Sequence, residues 1–166
     1  MDKVMKLVVL GASGRMGQML IRWLASAPQA RLHAAVVRPG SSLVGRDCGE
    51  LVGIGSNGVP LIDDPLLALD GADGVLDFTQ PEVTLEWLAH TASRGLVHII
   101  GTTGMSAEQE ACIVASQGAR IVKSGNMSVG IRLLGVLAEL AARVLGMPKY
   151  WRCIIGIRWM LRRARP

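Results

Sequence analysis

The sequence predicts an α/β fold built on a doubly wound parallel sheet. Short apolar runs alternate along the chain with longer segments whose apolar residues recur at helical spacing, and this pattern is typical of a parallel sheet with helices on both faces. A glycine-rich loop, residues 11–17, directly follows the first apolar run. Half of the 166 residues are hydrophobic, which is enough to bury the core of one such domain.

The predicted elements follow one another in a regular order. Residues 6–10 suit a strand buried on both faces, residues 15–27 form an amphipathic helix that Pro28 closes, and residues 31–37 return to strand character. A strand, helix and strand with a glycine loop at the first turn indicate a Rossmann-like domain. The later elements that we predict are strands at 74–78, 96–100 and 120–122 and helices at 83–93, 107–117 and 128–145.

The basic charge of the chain is concentrated after Pro148. The whole chain has eighteen Lys and Arg against thirteen Asp and Glu, but six of the basic residues and none of the acidic ones follow Pro148. Twelve basic residues therefore face thirteen acidic ones in residues 1–148, and the excess belongs to the tail. We predict a dinucleotide-binding domain at 1–146 and an aberrant basic tail at 147–166, a distribution that disfavours nucleic-acid binding by the domain.

The sequence disfavours a membrane protein, a metalloprotein and a disulfide-stabilised protein. The longest apolar stretches are interrupted well before the roughly 20 residues that a membrane span needs. The first residues lack the cleavage pattern of a signal peptide, so we expect a cytoplasmic protein. Cys48, Cys112 and Cys153 form neither a disulfide framework nor a metal-binding pair, and we expect each to be a small buried hydrophobe.

The loop at residues 11–17 has the glycine spacing of a diphosphate-binding turn. Gly11 permits a tight turn, Gly14 lets the backbone approach a pyrophosphate, and Gly17 allows the helix to pack closely on the strand. The helix that follows presents free N–H groups and the positive end of its dipole. Because glycines also occur in turns for steric reasons alone, the prediction of dinucleotide binding depends on the flanking strand and helix.

Arg38 bears on which nicotinamide cofactor the domain binds. An acidic residue at the end of the second strand would bind the adenosine ribose, but residues 36–39 are Val-Val-Arg-Pro. A guanidinium without a neighbouring carboxylate favours the 2′-phosphate of NADPH over NADH. The alternative is that Arg38 is an ordinary solvated side chain.

Three later loops follow predicted strands and therefore lie at the carboxyl edge, where ligands bind in such sheets. They are residues 77–81, 101–104 and 123–127. Each has a structural alternative, since Asp77, Ser124 or Asn126 could cap a helix and Thr102 with Thr103 could stabilise a turn. The three histidines lie on separate elements without an evident partner, and we assign none of them a catalytic role: His33, His90 and His98.

Taken together, these loops resemble those of the dihydrodipicolinate reductase family. The resemblance rests on the content, order and spacing of five segments and extends to about Gly146. They are 11–17 (Gly-Ala-Ser-Gly-Arg-Met-Gly), 40–45 (Gly-Ser-Ser-Leu-Val-Gly), 77–79 (Asp-Phe-Thr), 101–104 (Gly-Thr-Thr-Gly) and 125–130 (Gly-Asn-Met-Ser-Val-Gly). The resemblance implies an NAD(P)H-dependent oxidoreductase of lysine and diaminopimelate biosynthesis that reduces 4-hydroxy-tetrahydrodipicolinate to tetrahydrodipicolinate.

The resemblance also implies which residues bind the cofactor. The pyrophosphate would be held by Gly11, Ala12, Ser13, Gly14, Arg15 and Met16, and Arg38 would border the ribose. The nicotinamide side would be lined by Gly101, Thr102, Thr103, Ser124, Gly125, Asn126 and Met127. Thr103 would also contact substrate. Family members that prefer NADH carry an acid where this chain has Val37, so NADPH or NADH could serve, with NADPH favoured.

The family's catalytic segment is missing from this chain. That segment, Glu-x-His-His followed by a lysine and then Asp-Ala-Pro-Ser-Gly-Thr-Ala, supplies the proton chemistry of the reaction. The family's second α+β domain, which binds the small-molecule substrate and builds a homotetramer, is missing as well. We therefore expect the chain to bind cofactor at best, with negligible turnover, since general acid–base catalysis contributes on the order of 100-fold or more.

A frameshift is our hypothesis for the unusual tail. When each codon from Tyr150 onward is read from its third base, the genetic code permits Leu-Glu-Val-His-His-Arg, then a lysine, and from Trp159 onward Asp-Ala-Pro-Ser-Gly-Thr-Ala. The frame would change between Gly146 and Tyr150. The coding DNA must then carry these codons two bases out of phase, and their absence would contradict the hypothesis.

Two other functions are weighed against this one. The first is a stand-alone nucleotide-binding or regulatory module whose tail, with arginines beside tryptophans, contacts nucleic acid or an acidic partner. Salt-dependent retention on DNA that is lost when residues 149–166 are deleted would favour it. The second is a different dehydrogenase with a similar sheet, which the combination of loops disfavours.

Overall fold

The computed structural model describes residues 3–118, 120–125 and 127–144, and within them strands alternate with helices as predicted. The strands are β1 (Met5–Leu10), β2 (Ala30–Val36), β3 (Leu61–Ile62), β4 (Gly74–Asp77), β5 (Val97–Ile100) and β6 (Arg120–Lys123). The helices are α1 (Arg15–Leu24), α2 (Cys48–Val52), α3 (Pro65–Leu69), α4 (Pro81–Ser93), α5 (Ala107–Ala115) and α6 (Val129–Val144).

The strands pair in parallel in the order β3-β2-β1-β4-β5-β6. The chain runs outward from β1 to β3, returns to place β4 on the other side of β1, and then continues outward to β6. The predicted doubly wound sheet is thus confirmed. Because the direction reverses between β1 and β4, the loops that follow these two strands diverge and leave a crevice at the carboxyl edge.

The core lies on both faces of the sheet, and β1 contributes to each. Leu7 and Val9 pack on one face with Ile21 of α1, whereas Val8 and Leu10 pack on the other face with residues that include Trp87 of α4. A strand covered on both sides needs apolar residues at successive positions, which explains the unbroken apolar run in β1.

The region between β2 and β4 was not predicted, and it contains α2, β3 and α3. A two-residue strand and two five-residue helices are too short to produce a periodic pattern. Backbone groups that precede α2 run along the outer side of β3. The Gly45 N–H donates to the Leu61 oxygen, and the Leu61 N–H donates to the Arg46 oxygen, each at 2.8 Å.

Asp47 caps α2 and gathers the following loop around its carboxylate. Oδ1 accepts from the Gly49 N–H at 2.8 Å, while Oδ2 accepts from the Ser56 hydroxyl and the Gly58 N–H, both at 2.8 Å. Desolvation raises the pKa of Asp47, but the hydrogen bonds from Ser56 and from backbone N–H groups outweigh it and lower the pKa to about 2.

Replacing Asp47 by asparagine should therefore lower the urea midpoint at neutral pH. A carboxyl whose folded pKa is depressed stabilises the fold above its unfolded pKa and loses that contribution as pH falls towards about 2. The difference between the two proteins, followed by tryptophan fluorescence, should shrink between about pH 4 and pH 2. Asp70→Asn is the control, because Asp70 is exposed and contacts His33 through its backbone oxygen. A constant difference at every pH would contradict this account.

The chain divides into two compact units, Met1–Gly125 and Asn126–Pro166. The sheet belongs to the first unit and α6 to the second. The predicted boundary at residue 146 and the tail at 147–166 lie outside the described residues, so both stay predictions. Many apolar side chains of α6 are exposed: Val129, Leu133, Leu134, Val136, Leu137, Leu140 and Val144.

Two further sequence predictions meet different outcomes. Cys48 is buried as expected, but Cys112 is exposed, so the prediction for Cys112 was wrong. The reason is that α5 buries Ile113, and the preceding residue of a helix points about 100° away. Cys153 lies outside the described residues.

Along the described part of the chain, no helix combines the length and apolar character that a membrane span needs.

Candidate functional site

The glycine loop joins the end of β1 to the start of α1 at the crevice in the sheet. Gly11 has a φ of 66°, which side-chain-bearing residues rarely adopt, so this position requires glycine. Gly14 is the N-cap residue of α1 and has no side chain to cover the helix end. The first N–H groups of a helix have no intrahelical acceptor. With no acidic residue in the first turn, this end of α1 favours an anion.

Gly17 allows α1 to pack directly on the loop, as predicted. A methyl group at this position would lie 2.3 Å from the Gly11 oxygen and 2.8 Å from the Ala12 Cα. Such distances are well below a van der Waals contact. The close approach fixes the start of α1 against the end of β1 and therefore aims the N-terminus of the helix at the crevice.

An open cleft of about 530 Å³ lies in front of this helix end. Among the described residues that line it, three are glycines, which contribute only backbone, Met16, Met19 and Phe78 are apolar, and Arg15 alone is ionisable. Met19 and Phe78 were not predicted, although Met19 follows Met16 by three residues on the same helix face. The full lining is Gly11, Gly14, Arg15, Met16, Gly17, Met19 and Phe78.

Two residues of the expected pyrophosphate loop do not line the cleft. Ala12 is fully buried, and its N–H donates to the Val36 oxygen at 2.8 Å, so this group belongs to the sheet. Ser13 is exposed, and its carbonyl accepts from the Gln18 side chain at 3.0 Å. Of the predicted pyrophosphate residues, Gly11, Gly14, Arg15 and Met16 line the cleft, and the binding roles of all six stay predictions.

Arg38 is exposed directly after the buried Val37 at the carboxyl end of β2. The turn after Arg38 is held by the residue that follows β3, because the Gly40 N–H donates to Asp63 Oδ2 at 3.1 Å. Arg38 thus directly follows the second strand, and its predicted place beside the ribose stays a prediction.

The two threonines of the 101–104 loop face opposite ways. Thr102 is buried, and its hydroxyl accepts from Thr84 at 2.8 Å and donates to Asp77 at 3.3 Å. Thr103 is exposed. Of this pair, Thr103 is therefore the side chain available to a ligand, and Thr102 can reach one only through its backbone.

Gly101 packs under the aromatic wall of the cleft. A methyl group on Gly101 would lie 2.1 Å from Cε1 of Phe78 and 2.3 Å from its Cδ1, so the ring rests on the Gly101 backbone. The Gly101 N–H donates to the backbone carbonyl oxygen of Asp77 at 2.7 Å. The loops after β4 and β5 thus hold each other in place.

Asp77 is neither the pocket residue nor the helix cap that we expected. Gln80 occupies the N-cap position of α4, and Asp77 is completely buried at the end of β4. Side chains alternate along a strand, so Asp77 points inward while Phe78 reaches the cleft. His98 of β5 lies 3.3 Å from the Asp77 carboxylate, a partnership that sequence spacing alone could not reveal.

The remaining site candidates lie in the 123–127 loop. The Ser124 N–H donates to the Ile100 oxygen at 3.1 Å, which continues the β5–β6 pairing, and Gly125 ends the first unit. Met127 is exposed in the second unit, and Asn126 lies outside the described residues. Their predicted role on the nicotinamide side stays a prediction.

Comparison with a family model and comparison with individual proteins identify the same family. The family model described as dihydrodipicolinate reductase, N-terminus, matches residues 5–127. The chain is 58% identical over 142 residues to 4-hydroxy-tetrahydrodipicolinate reductase of Sinorhizobium fredii, covering 85% of this chain and 52% of that protein. It is 54% identical over 145 residues to the enzyme of the same name from Rhizobium rhizogenes, covering 87% and 53%. The chain thus spans about half the length of these relatives.

Solved structures share the fold at low sequence identity. A dipicolinate-bound dihydrodipicolinate reductase from Paenisporosarcina sp. TG-14 aligns with a TM-score of 0.62 and 21% identity, over 84% of this chain and 54% of that one. An aspartate semialdehyde dehydrogenase with NADP from Candida albicans aligns with a TM-score of 0.56 and 16% identity, over 88% and 48%. These likenesses support the Rossmann-like sheet and nothing finer.

Proposed function

The chain belongs to the dihydrodipicolinate reductase family, and we propose that it is the NAD(P)H-binding half of a reductase that converts 4-hydroxy-tetrahydrodipicolinate to tetrahydrodipicolinate. The observation that carries this proposal is the cleft at the N-terminus of α1, which three glycines help to line, together with the absence of an acidic residue from the first turn of α1. Such a site suits the diphosphate of a dinucleotide.

The residues present fit this cofactor. The first N–H groups of α1 would hold the diphosphate, and Gly11 and Gly14, which line the cleft without side chains, would let it approach closely. Thr103 would face the nicotinamide end and would also contact substrate, and Phe78 would border the cleft. The cofactor supplies the hydride. Arg15 is the one ionisable residue on the cleft, so the described residues offer no general acid there, and we expect negligible turnover.

We propose NADPH as the favoured cofactor. Residues 36–39 contain no acidic residue, and Arg38 is exposed directly after the buried Val37 at the end of β2. A guanidinium binds a 2′-phosphate through charge-assisted hydrogen bonds, whereas NADH has only a hydroxyl at that position.

Calorimetry with NADPH and NADH tests both statements. The chain should bind both nucleotides, and Arg38→Ala should weaken NADPH about tenfold or more, since a hydrogen bond to a charged group contributes about 1.5–3 kcal/mol. NADH affinity should change little. Arg31→Ala is the matched control, because Arg31 is exposed on β2 near its amino end, away from the cleft. If a folded chain binds neither nucleotide, the proposed function is wrong.

A further inference from the structure

A cluster of polar side chains lies inside the sheet, beneath the loops that follow β4 and β5. We call it the buried polar cluster, and its members are at most 2% exposed: Asp77, Thr84, Thr91, His98 and Thr102. Burying such groups is costly unless they are hydrogen-bonded. Among the described residues, every buried side-chain nitrogen and oxygen has a partner. The cluster is therefore a complete hydrogen-bond network.

Asp77 is the common acceptor of this network. Oδ1 accepts from the Thr79 N–H at 3.0 Å and from the hydroxyl of Thr102 at 3.3 Å, and the Thr102 hydroxyl in turn accepts from Thr84. Burial alone would raise the pKa of Asp77, but hydrogen bonds from His98 and Thr79 outweigh it and hold the pKa below its usual value. The group is therefore a carboxylate at neutral pH.

His98 ties this carboxylate to the helix behind it. Nε2 lies 3.3 Å from Asp77 Oδ2, and because a carboxylate only accepts, Nε2 must carry the hydrogen. Nδ1 lies 3.1 Å from the hydroxyl of Thr91, which also reaches the Leu88 oxygen at 3.0 Å. The ring thus spans the distance between the end of β4 and α4.

The residues that follow Asp77 and Thr102 point away from the buried polar cluster. Asp77 and Thr102 point inward, while the next residue of each loop points outward: Phe78 lines the cleft and Thr103 is exposed. The Phe78 ring in turn rests on Gly101. Directional hydrogen bonds fix the positions of Asp77 and Thr102. Because Phe78 and Thr103 directly follow them in the same loops, the positions of these two residues are restrained as well.

We propose that the Asp77–His98 pair is a positioning unit that, through the hydroxyl of Thr102, holds the 101–104 loop and its exposed Thr103 in the arrangement required by the nicotinamide end of the cofactor. Stability alone does not account for the pair, because replacing both partners of a buried hydrogen bond by well-packed apolar residues is often neutral or stabilising. Hydrogen bonds specify angles that apolar packing leaves free. The inference rests on the proposed cofactor binding and assigns the pair no contact with the cofactor.

The test compares two ligands that differ only at the nicotinamide. NADPH and 2′-phospho-ADP-ribose share the adenosine, the 2′-phosphate and the diphosphate. His98→Leu, measured by calorimetry in the 166-residue chain, should weaken NADPH about tenfold and leave 2′-phospho-ADP-ribose within about twofold. His98→Gln, whose amide can still donate to Asp77, should restore most of the lost affinity.

A purely structural role predicts a different result. Equal weakening of both ligands, or an unchanged NADPH affinity, would overturn the positioning role while leaving the proposed function intact. Failure of the unsubstituted chain to bind either ligand would contradict the proposed function, and the positioning role with it. If His98→Leu does not fold, Thr84→Val and Thr84→Ser provide the same comparison, because only the valine removes the hydroxyl that donates to Thr102.

Discussion

Replacing Gly17 by alanine should abolish measurable NADPH binding and lower the free energy of unfolding by about 1–3 kcal/mol, the usual cost of overpacking. The added methyl group would lie 2.3 Å from the Gly11 oxygen and 2.8 Å from the Ala12 Cα. Both are backbone atoms, so no side-chain rotation can relieve the overlap. Helix α1 must move away from β1, and its N–H groups then leave the position from which they would bind a diphosphate.

Gly130→Ala is the matched control for this substitution. Gly130 lies in α6, and within the part of the chain that the structure describes a methyl group there would meet the Ser128 hydroxyl oxygen alone, at an ordinary 3.7 Å. Alanine is favoured over glycine in a helix by about 1 kcal/mol, so this variant should be at least as stable and bind NADPH normally. Calorimetry and urea unfolding would measure both. A Gly17→Ala protein with unchanged affinity would show that the packing of α1 on the loop does not govern binding.

Replacing Gly101 by alanine should weaken NADPH about tenfold and cost about 1–3 kcal/mol of stability. The methyl group would lie 2.1 Å from Phe78 Cε1, so the aromatic ring has to turn away from its place over the Gly101 backbone. Phe78 is a wall of the cleft, and the change therefore alters the surface that the cofactor would meet.

A double-mutant cycle isolates this contact. In a Phe78→Ala background no ring remains to be displaced, so Gly101→Ala should cost far less stability there. The coupling energy from urea unfolding should reach about 0.5–3 kcal/mol, the range for residues in contact. Strictly additive effects would show that the ring and Gly101 do not restrain each other.

The sheet and the glycine loop could be predicted because both depend on local sequence. The unbroken apolar run of β1 reports burial on two faces, and the spacing of Gly11, Gly14 and Gly17 reports a turn and a close contact. The region with α2, β3 and α3 could not be predicted in this way. Its structure depends on Asp47, which accepts hydrogen bonds from residues up to eleven positions away.

The site was harder to predict than the fold, because side-chain partners come from different strands. His98 and Asp77 are separated by 21 positions in the sequence, yet parallel pairing of β4 with β5 brings them together. Thr102 and Thr103 are the same residue type in one loop, and only the register decides which is buried. The register of β4 likewise decides that Phe78, and not Asp77, lines the cleft.

The backbone that runs beside β3 also bears on whether another chain could add a strand to the sheet. An outermost strand normally presents unpaired N–H and C=O groups to which another chain could add a strand. Here Gly45 and Arg46 already occupy the polar groups of Leu61, and β3 is only two residues long. At the opposite border, β6 begins with Arg120 and ends with Lys123. Both margins therefore discourage intermolecular strand addition and aggregation.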